Sequence, residues 1–141
     1  MEQYIEFVSN HLMLVAALVV VATLLIYSYV APYLRAWKTV TPAEATRLIN
    51  RENAVLIDVR EDSEYHSGHI VNSLHIPMGL VPKRLNELEK YKNKPIIVGC
   101  RSGSRSGNTC SLLSKHGFET VYNLGGGIMA WESANLPLSK K

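Results

Sequence analysis

The sequence predicts an α/β fold: a mainly parallel sheet with helices on both faces, preceded by one transmembrane helix. Three observations carry this expectation. Short β-branched runs alternate with segments of helical pattern, as in a sheet built from strand–helix–strand units. The runs Ala54–Val59 and Ile96–Val98 are almost continuously apolar, the mark of strands covered on both faces. Residues 7–34 contain no Asp, Glu, Lys or Arg.

That uncharged stretch comes first in the chain. Its core, Leu12–Val30, would be about 28 Å long as a helix, close to the roughly 30 Å of a bilayer's hydrocarbon. A buried core helix is the alternative, but a small domain cannot surround a helix that is apolar on all sides. A cleaved signal peptide would start with positive charge, whereas the tail before the span carries Glu2 and Glu6 and no Lys or Arg. We therefore expect a tail over 1–11, a membrane helix over 12–33, a linker over 34–38 and a domain over 39–141. Arg35 and Lys38 follow the span, with Arg47 and Arg51 further on. This bias predicts an outside N-terminus and a cytoplasmic domain, in a bacterial inner membrane. Tyr27, Tyr29, Tyr33 and Trp37 are expected in an interfacial belt on the domain side, with Tyr4 and Phe7 at the other interface.

The domain's own elements follow. Thr41, Pro42 and Glu44 read as N-cap, first helical position and capping box. Ala54–Val59 is a strand, and Ser73–Pro77 a shorter one ending at proline. Gly79–Tyr91 places Leu85 and Leu88 at helical spacing among charges. Lys94–Cys100 contains the next strand. Ser102–Gly117 reads as a helix stopped by its glycine. Glu119–Leu124 is a further strand, and Gly125–Leu136 a glycine turn leading into a last helix. No internal repeat or low-complexity tract interrupts this order. In such folds the ligand site lies at the C-terminal ends of strands, where Asp58, Arg60 and Cys100 fall.

Charge narrows the partners. From Thr39 onward the chain has 13 basic and 10 acidic residues, which points to no nucleic acid and suits a domain near anionic lipid. Two cysteines in a cytoplasmic domain are no disulfide framework.

Cys100 sits at the head of a polar loop between a strand and a helix. A loop curled there aims amide N–H groups inward, and the following helix adds its unpaired N–H groups and dipole. Arg101 and Arg105 add full charges. A free cysteine near pKa ~8.5 falls to roughly 3.5–7.5 in such surroundings, so Cys100 is placed as a nucleophile in an anion-binding cradle. The bland reading is a small buried hydrophobe. Cys110, in mid-helix, is expected to pack in the core.

From Thr39 to Leu138 the chain resembles a single-domain rhodanese, of the sulfurtransferase family. Asp58-Val59-Arg60 matches the family's D-x-R. Glu64, Gly68-His69-Ile70 and Ile76-Pro77 resemble its E…GHI…IP signature. Residues 100–106, CRSGSRS, are similar to its active loop, and Gly126-Gly127 with Trp131 to its terminal G-G-x-x-x-W. A departure is Asn72-Ser73, where the family often has Gly-Ala. The resemblance implies that Cys100 accepts a sulfane sulfur as a transient persulfide, held by the amides of Arg101, Ser102, Gly103, Ser104 and Arg105. It implies that Arg101 and Arg105 bind thiosulfate and stabilise departing sulfite, while Asp58 and Arg60 support the loop. The expected partners are a sulfur donor, a thiol or cyanide acceptor, the lipid bilayer and a membrane protein. The chemistry needs no metal or organic cofactor.

Two rivals stand beside this. Cysteine phosphatases and arsenate reductases resemble the loop, but phosphatases typically place five residues between cysteine and arginine, where this chain has four. A non-catalytic docking module for a membrane complex is the other. His66, His69 and His75 lack a fourth ligand at metal spacing and read as structural or surface residues. Lys83, Arg84, Lys90, Lys92 and Lys94 read as a solvated face.

Overall fold

A computed structural model describes all 141 residues. It divides into two compact units, residues 1–35 and 36–141.

The first unit is helical. The acidic tail forms α1 (Glu2–Asn10) and the uncharged run forms α2 (Leu12–Leu34), with Pro32 inside its last turn. The helix bends its path at His11, whose backbone leaves helical geometry. The stretch read as a short tail is thus helical, and Glu2 in its first turn suits the helix dipole. None of the residues of α2 is buried. An apolar helix of this length with no protein core around it is compatible with a membrane anchor.

The second unit is a five-stranded parallel sheet in the order β1-β5-β4-β2-β3. Its strands are β1 (Lys38–Val40), β2 (Val55–Asp58), β3 (Leu74–His75), β4 (Ile96–Gly99) and β5 (Val121–Leu124). Between them lie α3 (Pro42–Glu52), α4 (Asp62–His66), α5 (Ser104–Lys115) and the closing α6 (Gly127–Ser133). The capping box at Thr41 forms as expected: its hydroxyl accepts from Glu44 N, and Glu44 accepts from Thr41 N.

The central strand β4 is buried throughout. Its alternation splits the core in two. Ile96 and Val98 join Ile57, Leu113 and Phe118 on one face, while Ile97 joins Leu56, Leu124 and Trp131 on the other. Each such fully buried aliphatic side chain contributes about 1.5–3 kcal/mol.

Three expectations change. Residues 34–38 do not form a plain linker. Lys38 already pairs with Tyr122 in the sheet. Trp37 is not in an interfacial belt: it packs over Gly107, its indole N–H donates to Ser111 Oγ at 2.9 Å, and it flanks the core. The region read as one helix over 79–91 is instead two 3-10 turns, Met78–Lys83 and Leu85–Tyr91. Pro82 lacks the amide hydrogen and crowds the turn before it, so the i,i+3 pattern replaces a continuous α-helix.

Candidate active site

The strand ends build the site. Asp58 at the end of β2 lies beside Gly99 at the end of β4, and the chain turns at Cys100 into α5. Gly103 makes that turn possible. Its φ of +102° suits glycine.

The curled loop surrounds the Cys100 sulfur with donors. Gly103 N donates to Sγ at 3.0 Å and the Ser106 hydroxyl lies 3.3 Å away. Burial alone pushes the thiol up. The Ser106 hydroxyl and the amides of Ser106, Gly103 and Ser102 outweigh it and hold Cys100 below the ordinary thiol range. Cys110 has no such cradle; burial, then the nearby Cys100 charge, push its thiol up to about 12. It packs in the core with its S–H toward Tyr122 O.

Sequence reasoning expected the cradle from 101 to 105. Two of those amides, Ser102 and Gly103, face the Cys100 sulfur, and Ser106 adds its own amide and hydroxyl. Ser106 and its neighbour Asn123 were missed. Asn123 Nδ2 donates to Gly103 O at 2.9 Å, which turns its Oδ1 toward the Ser106 hydroxyl. The hydroxyl has one hydrogen. Three acceptors compete for it: Cys100 Sγ, Gly103 O and Asn123 Oδ1. No local signal marks Asn123, because it comes from the neighbouring strand β5.

The two loop arginines part company. Arg105 is bound by Glu64 of α4 through two 2.8 Å hydrogen bonds. This pair lowers the Glu64 carboxyl to about 2 and raises Arg105. Arg105 was expected to bind substrate; two of its five N–H donors are given to Glu64. Arg101 makes no ion pair. It lines a depression of about 240 Å³ together with Arg60, Glu64, Ser67, Ile128, Met129 and Glu132. Ser104 opens α5 and is exposed. Cys100 is buried beneath the loop and does not itself line this depression. A larger hollow, about 500 Å³, lies at the β3 edge and contains none of the loop residues.

Asp58 and Arg60 form a buried pair, with Arg60 Nη2 2.8 Å from Asp58 Oδ2. The same nitrogen donates to Gly68 O at 2.8 Å. Their side chains thus hold the Gly68 turn, not the cysteine loop. Only the backbone reaches the loop's base, where Val59 N donates to Gly99 O. Within that turn His69 and His75 stack on the two faces of Tyr65, at 3.9 and 4.1 Å. Asn72, where the family often has glycine, takes φ +62°, a conformation that asparagine tolerates better than most residues.

Residues 41–134 match the rhodanese-like domain model. The chain belongs to the rhodanese family. It is 34% identical over 139 residues to an uncharacterized protein of Escherichia coli, YibN, covering 98% of this chain and 97% of that one. It is 39% identical over 92 residues to a protein of Allochromatium vinosum named as a sulfurtransferase, covering 65% of this chain and 84% of that one. The crystal structure of a rhodanese-related protein from Thermoplasma volcanium superposes with a TM-score of 0.67 at 28% identity, over 74% of this chain and 99% of the other. The parallel sheet and its helices are therefore those of a rhodanese-like domain, and the family includes proteins named as sulfurtransferases.

Proposed function

We propose that this rhodanese is a membrane-anchored sulfurtransferase that works by double displacement through Cys100. The thiolate attacks the outer sulfur of a donor such as thiosulfate. The donor's S–S bond breaks, sulfite leaves with the bonding electrons, and Cys100 carries the sulfur as a persulfide. A thiol or cyanide then attacks the outer persulfide sulfur and returns the thiolate. One observation carries the reading: the Cys100 sulfur faces Gly103 N at 3.0 Å and the Ser106 hydroxyl at 3.3 Å. These preformed donors stabilise a thiolate before substrate arrives and hold the outer sulfur's charge afterwards. The step draws on no group beyond the protein and its two substrates.

Steady-state kinetics test this. The full-length protein in detergent micelles should give parallel double-reciprocal lines as donor and cyanide are varied, and Cys100→Ser should abolish turnover. Intersecting lines, or activity persisting in the variant, would exclude the covalent route.

In the same proposal α2 spans the membrane with the N-terminus outside and the domain in the cytoplasm. The support is the Arg35 and Lys38 bias after the span. A cysteine added at the N-terminus should react with an impermeant maleimide on intact cells; protection until lysis would reverse the orientation.

A further inference from the structure

We infer that Asn123 is a positioning residue for Cys100: reaching across from β5, it clamps Gly103 and Ser106 in the arrangement that turns their donors toward the sulfur. The inference rests on the reading of Cys100 as the sulfur carrier and adds the side chain that keeps its cradle closed.

Asn123 is an odd residue for its place. β5 lies between β1 and β4, and Asn123 stands in register between Thr39 and Val98. The rest of the strand is Val121, Tyr122 and Leu124. Asparagine is depleted in strands, and burying an amide costs free energy unless its groups are paired. Asn123 is buried, and both ends of its amide engage the cysteine loop. Nδ2 donates to Gly103 O at 2.9 Å, and Oδ1 accepts from the Ser106 hydroxyl. A local preference broken in this way, with its compensation directed at a reactive group, marks a functional constraint.

The loop needs such a hold. Arg101, Ser102 and Ser104 are exposed, so solvent rather than protein lies over its outer side. Its first residues are tied by Ile128 N to Cys100 O and by Met129 N to Arg101 O. Its far end continues into α5. Gly103 lies between, with no side chain of its own to fix it. Its N–H donates to Cys100 Sγ at 3.0 Å, while its carbonyl is held by Asn123. The same amide fixes Ser106, whose hydroxyl lies 3.3 Å from the sulfur. Donors held in place before a charge develops stabilise it without reorganising. Asn123 does the holding and acts on the sulfur through the other two.

The test uses the full-length chain in micelles, with Cys100 alkylated by iodoacetamide across pH. Asn123→Leu keeps the branching of the side chain and removes both hydrogen bonds. The midpoint of Cys100 alkylation should rise by about one pH unit. Below both midpoints the variant should react about tenfold more slowly; above both, the two rates should converge, because the sulfur is then ionised in each. A midpoint that stays or falls would overturn the inference, as would a rate lowered equally at every pH, the mark of a merely structural loss. A second measurement needs no variant. In nuclear magnetic resonance spectra of the wild type, the Asn123 side-chain amide should be protected from exchange and should shift with the midpoint of Cys100 ionisation. A freely exchanging amide, unmoved through that midpoint, would overturn the inference even if Asn123→Leu misfolds. Alkylation needs no sulfur transfer, so failure of the wild type to gain sulfur from a donor would count against the sulfurtransferase reading alone.

Discussion

The α-carbon of Gly127 packs against the carbonyl of Cys100, leaving no room for a β-carbon between them. Two further bonds fasten the same place: Ile128 N to Cys100 O at 2.8 Å and Met129 N to Arg101 O at 3.1 Å. The last helix is thus a backstop for the cysteine loop. Gly127 also has φ +59°, which adds left-handed strain to any substitution. Gly127→Ala should cost about 3 kcal/mol or more of unfolding free energy. Urea denaturation measures it, and a loss below about 1 kcal/mol would mean that the loop can move away freely.

The two thiols should differ in reactivity. Iodoacetamide at neutral pH should alkylate Cys100 and spare Cys110, whose thiol lies at about 12. Alkylation rises as pH climbs through a thiol's pKa. Because hydrogen bonds hold Cys100 low, its rise should come at lower pH than that of an ordinary thiol. Ser106→Ala removes a donor to the thiolate and should move the midpoint up by about half to one pH unit. A midpoint that stays put would show that the amides alone hold the charge.

The Glu64–Arg105 pair should also be visible in stability against pH. The Glu64 carboxyl is lowered from 4.5 to about 2 in the folded chain. A lowered folded pKa gives stability that is fully present above the unfolded value and lost as pH falls toward the folded one. Its contribution should therefore fade between about pH 4.5 and 2. Both partners are partly exposed, so solvent screening leaves on the order of 1–2 kcal/mol. Glu64→Gln should flatten this part of the profile relative to the wild type. Parallel profiles would remove the pair from the stability account.

Trp37 joins the domain to the chain before it and makes a specific contact. Its ring covers Gly107 and its N–H reaches Ser111. Trp37→Ala should lower the domain's unfolding free energy by about 2–3 kcal/mol, measured by thermal unfolding of the full chain in micelles. An unchanged melting temperature would return Trp37 to the lipid interface.

What the sequence revealed follows from how local each signal is. The strands around Ile57 and Val98 were legible because burial on both faces leaves an unbroken apolar run. Thr41, Pro42 and Glu44 announced a helix start by chemistry confined to four residues. The cysteine loop was legible because a glycine, small serines and two arginines follow Cys100 directly. The misses are contacts across the fold. Lys38–Val40 is too short to read as a strand without its partner β5. Ser106 and Asn123 meet only once β5 lies beside α5. Arg105 read as free because Glu64 sits 41 residues earlier in the chain. Gly127 was legible as a turn, while its pressure on Cys100 needed three dimensions.

The most direct test of the central claim is the intact mass of the full-length protein after exposure to a sulfane-sulfur donor without reductant, with Cys100→Ser treated in parallel. The account predicts a gain of one sulfur atom in the wild type, absent from the variant and released by cyanide. No gain in a folded protein whose Cys100 still alkylates would contradict it.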